Sequence, residues 1–147
     1  TLKTITETMV NSLKLLGMET PKIAFLSASE MVMENMESTV VAQNLREWAK
    51  ENIKDAFFSG PLALDLIISR EAALKKGLGD DPVAGQSNGI IVPEIVSGNT
   101  LYKSLVYFAG GCAAGIVLGA KVPVLLTSRA DPPEARLASI ALASILS

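Results

Sequence analysis

Val122-Pro-Val-Leu-Leu-Thr-Ser-Arg-Ala-Asp-Pro-Pro-Glu-Ala-Arg-Leu-Ala-Ser-Ile-Ala-Leu142 decides the fold class of this chain. Val122 to Leu126 is a short apolar run rich in β-formers, as expected of a buried strand. The residues after it have the marks of a helix start. Asp131 is placed to act as N-cap, Pro132 to occupy the first helical position, and Glu134 lies three residues beyond the cap. Leu137, Ile140, Ala141 and Ile145 then recur at helical spacing. Thr127-Ser128-Arg129 lies between strand and helix. A hydroxyl, a guanidinium, backbone N–H groups and the positive end of a helix dipole would meet there, which favours an anion such as phosphate. The plainer reading makes Arg129 a solvated loop residue and Ser128 a turn residue.

Working outward, the 147 residues fit one domain. Apolar residues make up 49% and charged residues 19%, as in a globular protein rather than a disordered one. A net charge of −2 gives no basic footprint for nucleic acid. There is no histidine, so a Ser-His-Asp triad, a Cys-His pair and a His-ligated zinc site are impossible within the chain. One cysteine, Cys112, excludes an internal disulfide framework and fits a reducing cytoplasm. In Ala109-Gly-Gly-Cys-Ala-Ala-Gly115 it reads as a packed residue rather than a nucleophile. The longest uncharged run, Ser104–Ala120, falls short of the ~20 residues of a bilayer span and contains four glycines, so buried core is expected, not membrane. No secretory leader is visible, and the chain does not begin with methionine, as a piece of a longer protein would not.

From the start, Leu2 to Leu16 has helical spacing, with Gly17 as its stop. Strands are expected at Lys22–Ser27, Asp55–Ser59 and Gly89–Pro93. Helices are expected from Ser38 or Thr39 to Asn52, from Gly60-Pro61 to Gly77, and from Asn99 to Ala109. Met31 to Glu37 reads as a methionine-rich flap. Gly77-x-Gly79 does not extend to a dinucleotide fingerprint. Between Ala113–Gly119 and Val122–Leu126 there is too little chain for a helical crossover, so these two strands should be antiparallel or lie in different layers. The order α-β-α-β-α-β-α-β-β-α predicts a layered α/β sandwich with a mostly parallel sheet. Ligands of such sheets bind at the carboxyl ends of strands, here Ser27–Glu30, Ser59-Gly-Pro, Pro93–Asn99 and Thr127–Arg129.

Four ordered blocks carry a family resemblance: Ser59-Gly-Pro-Leu-Ala-Leu-Asp65, Pro82-Val-Ala-Gly85, Ile91-Val-Pro-Glu-Ile-Val-Ser-Gly-Asn-Thr-Leu-Tyr-Lys103, and Gly115 through Asp131. Together they resemble the phosphate acetyl- and butyryltransferases, with Leu126-Thr-Ser-Arg-Ala-Asp131 closer to the butyryl branch. The resemblance runs over about Lys22 to Ile145 and implies an isocitrate-dehydrogenase-like fold. Residues 1–147 would then form a single α/β unit, the C-terminal half of a chain about twice as long. It implies the reaction acyl-CoA + phosphate ⇌ acyl phosphate + CoA, with CoA and phosphate as substrates, no bound cofactor and no metal. Its alternatives are phosphate acetyltransferase, or a non-catalytic anion- or CoA-binding module of the same fold.

The family's serine-arginine pair matches Ser128 and Arg129. Glu134 is the nearest match to its helix-start carboxylate, and Asp131 the next. Substrate contacts are expected from Gly98, Asn99, Tyr102 and Lys103, with Gly60, Asp65 and Ser27 at the other strand ends. Ser59 and Glu94 stand where the family pattern has aspartates, and Ser87-Asn88 where it has alanine-aspartate. A cytoplasmic homo-oligomer, dimer or higher, completes the expectation.

Overall fold

The structure, a computed structural model, describes residues 1–146. It divides into two compact units, Thr1–Glu94 and Ile95–Ser147. The first unit holds the three-stranded sheet and both hydrophobic clusters found among the described residues.

In the first unit, helix α1 (Leu2–Leu15) opens behind Thr1, whose side chain accepts the Thr4 N–H. Three strands, β1 (Lys22–Leu26), β2 (Phe57–Leu62) and β3 (Gly89–Ile91), form a parallel sheet in the order β2-β1-β3. The expected parallel α/β sandwich is therefore present here. Central β1 is buried on both faces, as a covered parallel strand must be. Ile23 and Phe25 join Val10, Leu13, Leu45 and Phe58 beneath α1 and α2 (Glu37–Asn52). Ala24 on the other face joins Leu62, Leu66, Ile67 and Val83 beneath α3 (Leu64–Ile68) and α4 (Arg70–Lys75). The Phe25 and Phe58 rings stack at 6.1 Å, which ties β1 to β2.

Three sequence expectations change here. Gly60-Pro61 is not a turn into a helix but lies inside β2. Ala24 pairs with Ser59 and Leu26 with Leu62, so β2 carries one extra residue in a bulge. Proline is tolerated because β2 is an edge strand. The single helix expected after it is two, broken at extended Ser69, whose side chain accepts the Ala72 N–H and caps α4. Thr39 does not cap α2. It is buried, with Oγ1 accepting the Met33 N–H and bonding the Met33 and Met36 carbonyls.

The second unit holds α5 (Ile95–Tyr107), β4 (Ile116–Val117), β5 (Val124–Leu125) and α6 (Pro133–Ile145). β4 and β5 are antiparallel, the first of the two arrangements the short connection allowed. Both are much shorter than expected. They are not buried either: Val124 is 44% and Leu125 43% exposed, Val122 and Leu126 beside β5 more so, and Cys112 is an exposed free thiol rather than a packed one. The sequence pattern announces burial, but these residues have no second apolar layer within the described chain. Ser139, buried in α6, donates to the Ala135 carbonyl and accepts the Gly115 N–H at 3.0 Å, joining helix to strand. Among the described residues no helix is long and apolar enough to cross a membrane.

A Cβ at Gly60 (φ +151°) would sit 2.7 Å from Phe25 Cβ and 2.9 Å from its carbonyl oxygen. Gly60→Ala should therefore lower stability by roughly 2–4 kcal/mol through strain and overpacking. Gly77→Ala, which meets nothing within 4 Å at φ +76°, should cost only about 1 kcal/mol. Urea unfolding of the two variants measures the difference.

Candidate active-site loop and strand-end rim

Ser128 and Arg129 lie on the loop between β5 and α6, in the second unit. The expected cap does not form there. A cap from Asp131 would accept the N–H of the second or third helical position, and the second, Pro133, has none, which leaves Glu134 alone. The helix starts at Pro133 with Pro132 as its flanking residue, and Asp131 turns back on the loop instead. Asp131 Oδ2 accepts the Ser128 N–H at 2.6 Å, and the Asp131 N–H donates to the Ser128 carbonyl at 3.1 Å. Ser128 Oγ accepts the Ala130 N–H at 3.4 Å, which leaves its hydroxyl proton for another partner.

The helix start is therefore poorer in donors than expected. It opens on two prolines, and the Ala135 and Arg136 N–H groups point to the Pro132 carbonyl. Anion attraction at this loop rests on the Arg129 guanidinium and the Ser128 hydroxyl, with the helix dipole behind them. Arg129 is exposed and, among the described residues, in no ion pair. Glu134 is exposed in the first turn of α6, where its charge also complements the dipole.

Gly98, Asn99, Tyr102 and Lys103 all lie within α5, which begins at Ile95, a turn earlier than expected. Asn99 is exposed. The Lys103 ammonium lies 5.1 Å from the Tyr102 ring centroid and 5.8 Å from that of Tyr107, within cation–π range of both.

The remaining candidates belong to the first unit. Ser27 is buried after β1, its Oγ 2.8 Å from Ser38 Oγ on α2. Beside them lies a small apolar hollow lined by Phe25, Leu26, Val41, Val92 and Pro93. Gly60 serves through its backbone, its carbonyl accepting from Arg46 at 2.9 Å. Asp65 is exposed in the first turn of α3.

Two residues that sequence reasoning passed over organise this rim. Ser59, standing where a carboxylate was expected, donates to Asp81 Oδ2 at 2.5 Å, while Asp81 Oδ1 accepts the Val83 and Ala84 N–H groups. Arg70 donates to the Gly79 and Ala84 carbonyls. Asp81-Pro82 is a recognisable turn signal, whereas the Arg70 contacts reach 9 and 14 residues along the chain and leave no local trace. Arg46 and Arg70 are thus spent on backbone carbonyls. Among the described residues, no group of three or more His, Cys, Asp or Glu could hold a metal ion.

The chain belongs to the phosphate acetyl/butaryl transferase family, which matches residues 1–144. It is 44% identical over 140 residues to a phosphate acetyltransferase of Thermotoga maritima, a match covering 95% of this chain and 47% of that protein. It is 46% identical over 143 residues to a probable phosphate butyryltransferase of Bacillus subtilis, covering 97% and 48%. Among solved structures it resembles a branched-chain phosphotransacylase from Enterococcus faecalis V583, with a TM-score of 0.91 and 38% identity, over 99% of this chain and 52% of that one. The chain thus spans about half the length of the relatives it matches.

At the rim, Glu30 pairs with Lys76 at 2.8 Å. The hydrogen bond from Lys76 holds the Glu30 carboxyl below its ordinary value, and the same bond raises the Lys76 ammonium. A lowered carboxylate stabilises the fold above its unfolded pKa, and the gain is lost as pH falls through the folded value. Lys76→Gln should move the Glu30 titration up towards that of a free glutamate, read by NMR of its side-chain carbonyl. An unchanged titration would disprove the pairing.

Proposed function

We propose that the chain carries the phosphate- and oxyanion-binding loop of a phosphate acyltransferase, which moves an acyl group between coenzyme A and inorganic phosphate. The observation that carries this is the Ser128–Arg129 loop, anchored by Asp131 and presenting a guanidinium in no ion pair among the described residues. The chain belongs to a family named for this transfer.

A phosphate oxygen attacks the thioester carbonyl carbon, negative charge gathers on the carbonyl oxygen, and the C–S bond then breaks to release CoA thiolate. Phosphate dianion needs little base assistance, and a thiol of pKa about 8.5 leaves readily. The demanding step is the oxyanion, and preorganised donors are the usual answer to it. Arg129 holds phosphate or the developing charge, and Ser128 donates its hydroxyl proton as a hydrogen bond. In reverse, Glu134 takes the CoA thiol proton. Gly98, Asn99, Tyr102 and Lys103 of α5 contact the substrates. No metal or other cofactor enters the scheme.

Butyryl or a branched short chain is the proposed acyl group. Leu126-Thr-Ser-Arg-Ala-Asp131 and the fold likeness to the branched-chain phosphotransacylase support it. Exposed Leu137, Ile140 and Ile145 along α6 support a homo-oligomer. A cytoplasmic setting completes the proposal. A second reading, a non-catalytic CoA-binding module, draws on Ser59 and Glu94 in place of aspartates.

On the complete polypeptide, thiol release from butyryl-CoA should require phosphate, survive EDTA, and fall roughly 10²–10³-fold in Arg129→Ala. Release should be faster with butyryl- or branched acyl-CoA than with acetyl-CoA. Folded protein that binds CoA yet releases no thiol would leave the binding module.

A further inference from the structure

Asp131 stands out from its surroundings. It is 9% exposed, while Arg129, Ala130, Pro132, Pro133 and Glu134 around it are all exposed. A buried carboxylate needs donors, and the two prolines that follow Asp131 carry no N–H to give it. It finds one in the Ser128 N–H at 2.6 Å and returns its own N–H to the Ser128 carbonyl at 3.1 Å. These two bonds fix the backbone on both sides of Ser128, and Arg129 lies inside the closed turn.

We propose that Asp131 is the positioning residue of this loop: it sets the direction of the Ser128 hydroxyl and the Arg129 guanidinium and takes no proton from substrate. The inference rests on the acyltransferase reading. A carboxylate bound to a backbone N–H and buried below the loop surface is poorly placed as a base, so the acid–base chemistry is left to another group. Positioning matters because misplacing a clamp by about 1 Å costs on the order of 10²-fold in rate.

The test compares Asp131→Ala and Asp131→Asn with Arg129→Ala in the complete polypeptide, by steady-state kinetics in phosphate and butyryl-CoA. Asparagine keeps an oxygen able to accept the Ser128 N–H; alanine does not. Asp131→Ala should lose about 10–100-fold in kcat/KM for phosphate, with Asp131→Asn recovering most of it. The pH profile of Asp131→Asn should keep both limbs of the unmodified enzyme. Loss of a limb in Asp131→Asn, with activity as low as in the alanine variant, would make Asp131 the base and overturn the proposal. Unmodified kinetics in folded Asp131→Ala would overturn it too. Should Asp131→Ala not fold, Asp131→Asn alone decides through rate and pH profile. Full activity in Arg129→Ala would sink the acyltransferase reading of the loop itself, a separate failure.

Discussion

The close approach of β2 to β1 at Gly60 is the contact on which the first unit depends. No side chain fits between Gly60 and the Phe25 backbone, and the bulge at Gly60-Pro61 brings Leu62 into register with Leu26. Leu62 then enters the cluster under α3 and α4, and Phe58 stays stacked on Phe25 under α1 and α2. A side chain at position 60 would therefore disturb both layers. The Gly60 carbonyl also accepts the Arg46 guanidinium, so α2 is tied to the same spot.

The second unit is held differently. It has short strands, no cluster of large buried side chains among its described residues, and a few specific hydrogen bonds. Ser139 joins α6 to the residue before β4, and Asp131 closes the loop that α6 follows. Order at the Ser128–Arg129 loop thus comes from directional polar contacts rather than apolar burial. Such contacts fix geometry well and contribute modestly to stability, roughly 0.5–1.5 kcal/mol each.

Much of the candidate site is legible without the fold. Ser128 and Arg129 are marked by their place between a β-rich run and a proline-led helix. Arg46 and Arg70 cannot be sorted from Arg129 by sequence, because their carbonyl partners are 14 residues away, or 9 and 14. Ser59 looks like a lost carboxylate, yet Asp81 from 22 residues further on stands against it. The usual spacing rule makes Asp131 a cap; the second proline, which removes one of the two donors such a cap can use, is the signal that rule overlooks.

By itself the sequence determined the α/β order of elements, the parallel central sheet, the family and the serine-arginine loop. Local periodicity and short motifs carry that information within a few residues. Only the tertiary structure decided that Gly60-Pro61 belongs to a strand, that one expected helix is two, and that Asp131 serves Ser128 rather than α6. It also decided which apolar residues are covered: Leu137 in α6 is 69% exposed despite its helical spacing. Periodicity shows which face of an element is apolar. Whether that face is buried depends on what the rest of the chain places against it.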